Sequence, residues 1–127
     1  VCCARAKQFE EDILYFEQAT EPRKEAVLAE LPEVYEALKL GLADYINKNG
    51  FQRVVVALSG GIDSALVLAI AVDALGAEAV QAIMMPYHYT AEMSKSDAAE
   101  QARLLGVAYS EIAISEPVQC FLHILQD

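Results

Sequence analysis

The chain has 127 residues and a mass of 13.9 kDa, the size of one domain or of part of one. Hydrophobic residues make up 55% and charged residues 22%, which excludes an intrinsically disordered chain. Nine lysines and arginines against nineteen aspartates and glutamates leave a formal net charge of −10. This charge argues against nucleic acid or an anionic membrane as the main partner, because both bind to positive surfaces.

Two further features bound the class of protein. No apolar run approaches the ~20 residues of a membrane-spanning helix, and the chain opens at Val1 without a signal-peptide pattern, as if cut from a longer sequence. Its three cysteines, Cys2, Cys3 and Cys120, have no metal-binding spacing, so we expect free thiols in the reducing cytoplasm.

The first part of the chain has no clear periodicity. Two apolar pieces, Val1–Ala4 and Ile13–Phe16, lie on either side of a polar centre. This pattern fits two short strands or an irregular helix, and periodicity does not separate the two. The polar stretch Gln18–Glu30 contains Pro22 and is interpreted as a linker that leads into an acidic helical turn.

A helical pattern begins at Glu33. Apolar residues recur three or four positions apart as far as Ile46, Pro32 suits the first turn, and Gly50 ends the run. The pattern then changes at Val54–Leu58, a continuous valine-rich run that predicts a strand buried on both faces.

Helices and strands alternate through the rest of the chain. The predicted elements, in chain order, are a turn at Ser59–Ser64, a helix at Ala65–Leu75, a strand at Val80–Met85, a loop at Tyr87–Met93, a helix at Ser94–Leu105, a strand at Tyr109–Ile114 and an amphipathic segment from Val118. Ser94 and Asp97 form an approximate capping box. This order predicts an α/β fold, a Rossmann-like parallel sheet with helices on both faces.

The helix Ala65–Leu75 is apolar on every side, with Asp73 as its only charged residue. Such a helix is covered on more than its sheet side. We therefore expect a second layer of protein or a subunit partner against it, and a homo-oligomer.

The turn Ser59–Ser64 has the composition of a phosphate-binding loop. It follows the carboxyl end of a strand, where ligands bind in open parallel sheets. Gly60 and Gly61 allow several N–H groups to face one concavity, and the next helix adds the positive end of its dipole. The hydroxyls of Ser59 and Ser64 add two possible donors.

The same loop contains an acid and lacks the lysine of the common nucleotide P-loop. An acid beside a polyphosphate is repulsive unless a divalent metal bridges the two, and oxygen ligands with phosphate suit Mg²⁺. Asp63 is therefore a candidate Mg²⁺ ligand. The competing explanation is a tight glycine turn in which Asp63 or Ser64 only caps the helix.

The string Ser-Gly-Gly-Ile-Asp-Ser resembles the pyrophosphate-binding loop of the ATP pyrophosphatase superfamily. Neighbouring motifs narrow the resemblance to NAD synthetases over residues 31–115; they are Leu40-Gly41-Leu42, Asp73-Ala74-Leu75-Gly76, Met84-Met85-Pro86, Tyr89-Thr90, Asp97-Ala98 and Leu105-Gly106. The resemblance implies an adenine nucleotide alpha-hydrolase-like fold. It also implies ATP binding by eight residues, namely Ala57, Leu58, Ser59, Gly60, Gly61, Ile62, Asp63 and Ser64, with Mg²⁺ at Asp63.

The implied reaction converts deamido-NAD to NAD: ATP adenylates the nicotinate carboxylate, and ammonia displaces AMP. Ala4-Arg5-Ala6 and Phe9–Asp12 resemble the last strands of the nitrilase-like glutaminase domain of glutamine-dependent NAD synthetases. The resemblance thus divides the chain into a glutaminase tail (1–20), a linker (21–30) and the first half of a synthetase domain (31–127). Glutamine or ammonia would supply nitrogen, and we expect the chain alone to be inactive.

Some assignments stay open at this point. His88 could approach ATP or be an ordinary loop residue, Tyr87 and Tyr89 could stack on adenine or pack under the loop, and His123 fits a structural role on a helix. Alternative functions are another adenylating amidase of the GMP or asparagine synthetase type, a tRNA-modifying enzyme, and a non-catalytic nucleotide-binding module. The net charge opposes the tRNA enzyme, and the serine-glycine string opposes the non-catalytic module.

Overall fold

A computed structural model of the chain describes residues 2–15, 17 and 23–126. The helices and strands, in chain order, are α1 (Glu30–Lys48), β1 (Val54–Ala57), α2 (Ile62–Leu75), a short 3₁₀ turn (Ala77–Ala79), β2 (Val80–Met84), α3 (Glu92–Leu105), β3 (Ala108–Glu111) and α4 (Ser115–Ile124). None of the described helices is long and apolar enough to cross a membrane.

The three strands form one parallel sheet in the order β1-β2-β3. Val56 of β1 lies opposite Ala82 of β2, and Ala82 lies opposite Tyr109 of β3. The predicted parallel α/β architecture is confirmed. Its core lies between the sheet and the helices α2 and α3, and the buried residues there are Val56, Leu58, Leu68, Ala71, Val80, Ala82, Met84, Ala98, Ala102 and Val107.

The opposite face of the sheet is open at β1. Val55 alternates with the buried Val56 and is 61% exposed, so the prediction that this strand is buried on both faces is wrong for the described residues. The strand order gives the reason. When consecutive neighbouring strands are joined by crossovers of one hand, both connecting helices lie on the same face of the sheet.

A second helical layer lies over α2, as its all-round apolar sequence predicts. Helix α1 packs against α2, and the Tyr35 hydroxyl donates a 2.8 Å hydrogen bond to the carboxylate of Asp73. The cover is incomplete, because Leu66 and Val67 of α2 stay 52% and 54% exposed.

All four helices begin earlier than predicted. Helix α1 starts at Glu30 and not at Glu33, and α4 starts at Ser115 and not at Val118. Helix α2 starts at Ile62, and its first turn is closed by a 3.1 Å hydrogen bond from the Ala65 N–H to the Gly61 carbonyl. Helix α3 starts at Glu92 after an N-cap at Ala91 whose side chain makes no cap hydrogen bond. The proposed capping box of Ser94 and Asp97 is therefore wrong, since Ser94 already lies inside the first turn.

The N-terminal segment is attached to α1 by side chains. Among residues 2–15 and 17 the structure contains neither a strand nor a helix, and Arg5 and Lys24 form one isolated parallel bridge. Gln8 accepts a 2.7 Å hydrogen bond from the Leu28 N–H and donates one of 2.8 Å to Glu33. The predicted strands of a nitrilase-like tail are thus absent from the described residues, because a single bridge does not build a ladder. Val1, Phe16, the stretch 18–22 with Pro22, and residue 127 lie outside the description.

Candidate functional site

The glycine loop leaves the sheet at the carboxyl end of β1. Leu58 extends the pairing of β1 by one hydrogen bond, from its N–H to the Ile83 carbonyl at 2.9 Å, and its side chain is 1% exposed. Gly60 then takes a φ of +80°, a conformation that side chains disfavour, and Gly61 is the N-cap of α2. The buried, hydrogen-bonded end of the strand is therefore followed directly by an exposed loop and by the N-terminus of α2.

The two serines fix the shape of this loop. Ser64 Oγ donates to the Gly61 carbonyl at 3.0 Å and accepts from the Ser59 N–H at 3.1 Å. Ser59 Oγ lies 2.9 Å from Ser64 Oγ and accepts from the Gly61 N–H at 3.3 Å. Because each hydroxyl has one proton, both protons are used inside the loop. The two serine side chains thus stabilise the conformation of the loop. They are not the free hydrogen-bond donors that the sequence suggested.

Asp63 and Ser64 do not cap the helix. The N-cap is Gly61, which places Asp63 and Ser64 at the second and third helical positions. The Asp63 carboxylate is exposed, and among the described residues it forms no ion pair. The capping explanation therefore fails for Asp63, and its carboxylate is open to a ligand from solvent.

The described residues contain no cluster of three or more histidine, cysteine, aspartate or glutamate side chains that could hold a metal. A cation at Asp63 would therefore need further oxygen ligands besides this carboxylate, and phosphate oxygens of a bound nucleotide can supply them. A carboxylate in the first turn of a helix, beside a phosphate site, offers one hard oxygen donor to such a shared ion.

A cavity of about 170 Å³ opens beside the loop. Its walls come from the ends of two neighbouring strands and from the following loop, and the lining residues are Ala57, Leu58, Ser59, Met84, Met85 and Thr90. Three of these belong to the predicted ATP-binding set. The other three, Met84, Met85 and Thr90, were not assigned to the site from sequence, although the end of β2 must reach the same sheet edge as Ser59 in a parallel sheet.

The aromatic loop after β2 is built around a tight turn. Thr90 Oγ1 accepts from the Tyr87 N–H at 2.9 Å, and the Thr90 N–H donates to the Tyr87 carbonyl at 2.8 Å. The His88 ring lies 4.0 Å from the Tyr87 ring and 3.8 Å from the Tyr89 ring, measured between centroids. None of the three rings lines the 170 Å³ cavity, and Tyr89 is 84% exposed. His123 lies in the last turn of α4 and is exposed.

A larger groove of about 410 Å³ lies elsewhere, between the N-terminal segment and α1. It is lined by Lys7, Gln8, Phe9, Glu10, Glu25, Ala26, Leu28 and Glu36. With three carboxylates against one amine, this groove is poorly suited to a polyphosphate, so the glycine loop remains the candidate site.

Comparison with known proteins places this loop in a known family. The model of the NAD synthase family matches residues 34–127. The glutamine-dependent NAD(+) synthetase of Acinetobacter baylyi is 42% identical in an alignment 127 positions long, which covers 95% of this chain and 24% of the relative. The chain therefore spans about a quarter of the length of this relative.

Two solved structures share the fold. The glutamine-dependent NAD+ synthetase of Acinetobacter baumannii in complex with adenosine diphosphate is 48% identical, has a TM-score of 0.78, and is matched over 83% of this chain and 20% of that one. The NH3-dependent NAD synthetase of Campylobacter jejuni is 29% identical, has a TM-score of 0.69, and is matched over 75% of this chain and 41% of that one. On the family match and these likenesses, the chain belongs to the NAD synthase family.

Proposed function

We propose that this chain forms the ATP-binding part of an enzyme that converts deamido-NAD to NAD. The observation that carries the proposal is the loop Ser59–Ser64, in which a positive-φ glycine and the start of α2 follow a buried strand end. The first N–H groups of any α-helix have no carbonyl partner within the helix, and with the helix dipole they attract anions. The pyrophosphate of ATP is the anion that we assign to this loop.

The cavity beside the loop suits the other end of the nucleotide. Its lining by Met84, Met85 and Leu58 is largely apolar, while Ser59 joins it to the phosphate loop. A flat base between apolar walls, with its phosphates at a helix N-terminus, is the usual arrangement at the carboxyl edge of a parallel sheet. The Acinetobacter baumannii structure, which was solved with adenosine diphosphate, supports a nucleotide at this fold.

We assign the exposed carboxylate of Asp63 to a Mg²⁺ ion shared with the ATP phosphates. The charge on the carboxylate would otherwise repel the nucleotide, and the described residues offer no alternative metal cluster. When bound, the ion offsets the negative charge that develops on the leaving pyrophosphate.

The proposed reaction has two steps. First, a carboxylate oxygen of deamido-NAD attacks the α-phosphorus of ATP, the bond from that phosphorus to the bridging oxygen breaks, and pyrophosphate leaves. The N–H groups of the first turn of α2 hold the departing pyrophosphate. Ammonia then attacks the activated carbonyl carbon and loses a proton, and AMP leaves with the original carboxylate oxygen.

Glutamine is the proposed source of the ammonia, because the relative from Acinetobacter baylyi is named a glutamine-dependent synthetase and matches nearly the whole chain. In this proposal residues 1–20 are the end of a glutaminase domain, 21–30 a linker and 31–127 the first half of the synthetase domain. A homo-oligomer and a cytoplasmic location belong to the same proposal.

The natural full-length protein tests the reaction directly. We expect exchange of labelled pyrophosphate into ATP that depends on deamido-NAD, and formation of AMP, pyrophosphate and NAD in equal amounts. ADP and phosphate as products would contradict the proposal. Exchange that depends on xanthosine monophosphate or aspartate instead would favour the GMP or asparagine synthetase alternative.

The nitrogen donor is tested in the same assay. Both glutamine and ammonia should support NAD formation. If ammonia works and glutamine does not, the assignment of residues 1–20 to a glutaminase domain is wrong while the synthetase assignment stands.

A further inference from the structure

Helix α3 touches the glycine loop at Gly60. A Cβ atom on Gly60 would overlap the carbonyl oxygen of Ser94 and lie 2.7 Å from the Ser94 Cα. The obstacle is backbone of the first turn of α3, which a side-chain rotation cannot remove. The loop is therefore held on one side by the start of α3.

The same helix reaches the other end of the loop with a side chain. Gln101 Nε2 donates a 2.7 Å hydrogen bond to the carbonyl oxygen of Ala65, and the side chain is half-buried. The Ala65 N–H in turn donates to Gly61 at 3.1 Å and closes the first turn of α2. Gln101 therefore bonds directly to Ala65, and Ala65 closes the first turn of α2. The N–H groups of that turn are the ones we assign to the phosphates.

Small residues make this contact possible. Ala98 and Ala102 of α3 lie four residues apart on one side of the helix and are fully buried at 0% exposure, and Gln101 lies three residues after Ala98. Helices whose facing residues are alanines approach closely, and a glutamine between them can then span the remaining gap. Removing its donor would leave the Ala65 region free to shift relative to α3.

We propose that Gln101 is a positioning residue for ATP: it fixes the first turn of α2 against α3 and so keeps the phosphate-facing N–H groups of the loop in place. The inference rests on the proposed function. It extends that function to a residue that lies outside the loop and in a different helix.

The test uses the natural full-length protein with ammonia as nitrogen donor. Gln101→Met keeps the length of the side chain and removes the N–H donor, and we expect KM for ATP to rise about three- to tenfold, the factor that corresponds to one intramolecular hydrogen bond. KM for deamido-NAD should stay within twofold. Gln101→Lys returns a donor on a flexible chain and should bring KM for ATP back to within about twofold of the unchanged protein.

The matched control is Gln8→Met. It removes two hydrogen bonds, to Leu28 and Glu33, at a place far along the chain from the loop. We expect it to lower the melting temperature and leave KM for ATP unchanged, so that loss of stability alone is separated from positioning. If Gln101→Met melts below the assay temperature, Gln101→Leu, which also lacks a donor, replaces it.

The outcomes are distinct. An unchanged KM for ATP in the donor-free variants, or an equal rise in Gln101→Met and Gln101→Lys, overturns the role of Gln101 and leaves the proposed function intact. A full-length protein that forms NAD without consuming ATP overturns both.

Discussion

Neighbouring residues in the first turn of α2 have separate roles. Ser64 ties the loop together through hydrogen bonds to Ser59 and Gly61, whereas Asp63 is exposed and forms no ion pair among the described residues. Replacing an exposed side chain of this kind changes stability little. Asp63 is therefore the residue at which a functional role can be measured with little structural interference.

We expect Asp63→Asn to reduce pyrophosphate exchange by about a hundred- to a thousandfold in the natural full-length protein, since loss of one electrostatic contact to developing charge has an effect of this order. The melting temperature should change little. Asp73→Asn is the matched control, because it makes the same chemical change on the same helix at the hydrogen bond to Tyr35. It should leave exchange intact. Near-normal exchange by Asp63→Asn at millimolar Mg²⁺ would remove Asp63 from the site.

The second prediction concerns Gly60. Comparing alanine at Gly60 with alanine at Gly50 separates the effect of backbone strain from that of steric overlap. Gly60 and Gly50 have φ values of +80° and +70°, so alanine costs about 1–2 kcal/mol in either place. At Gly50 a Cβ atom meets nothing within 4 Å, but at Gly60 it meets the backbone of Ser94. We expect Gly60→Ala to lower the melting temperature clearly more than Gly50→Ala.

The two glycine variants should also differ in activity. Gly60→Ala has to displace the loop or the start of α3, so pyrophosphate exchange should be lost, while Gly50→Ala should retain it. Equal melting temperatures and equal exchange rates would show that the approach of Gly60 to Ser94 does not constrain the loop.

At this scale the sequence predicted which residues form the loop and did not predict how they bond. The spacing of Ser59 and Ser64 around two glycines indicates a turn, but the direction of each hydroxyl depends on the three-dimensional path of the loop. The sequence likewise did not indicate a role for Gln101, because its partner is a backbone carbonyl in another helix.

Among the elements, the α1–α2 contact offers a prediction that depends on pH. The pKa of Tyr35 lies above its ordinary value of 10.0, chiefly because its hydroxyl donates to the Asp73 carboxylate and also because it is partly desolvated. The folded state thus favours neutral Tyr35. Its contribution to stability is present below the unfolded pKa and is lost as the pH rises through the higher, folded pKa.

We therefore expect Tyr35→Phe to be less stable than the unchanged protein at pH 7–9, and we expect this difference to shrink above about pH 10. Urea unfolding at a series of pH values measures the difference. Tyr45→Phe, at an exposed position of the same helix, is the control for removing a tyrosine hydroxyl, and at pH 7–9 it should be as stable as the unchanged protein. A difference that stays constant to high pH would mean that the Tyr35 bond adds nothing to stability.

Element order was predictable because the helical and strand periods differ and glycines or prolines separate the segments. Element ends were less predictable. The start of α3 at Glu92 has no side-chain cap, whereas the capping residues of the sequence predict a start at Ser94. The strands predicted for the N-terminal segment are absent from the described residues for another reason. A strand needs a neighbouring strand to pair with, and composition does not show whether one is there.

Across the whole molecule, the fold of the described residues (2–15, 17 and 23–126) leaves a large apolar surface exposed. Val55 is exposed on the open sheet face, Leu66 and Val67 are exposed on α2, and α4 has no buried residue although Phe121 and Ile124 are large and apolar. Apolar surface that is exposed over several elements promotes association in water.

We expect the isolated 127-residue chain to sediment as species larger than its 13.9 kDa monomer, increasingly so at higher concentration. Two paired variants locate the contact: Leu66→Gln with Val67→Gln on α2, and Phe121→Gln with Ile124→Gln on α4. Because α2 is the more apolar helix and is only partly covered by α1, the α2 pair should reduce association more strongly than the α4 pair. Circular dichroism checks that both variants stay folded. A chain that sediments as a monomer at all concentrations would show that these exposed side chains do not drive association.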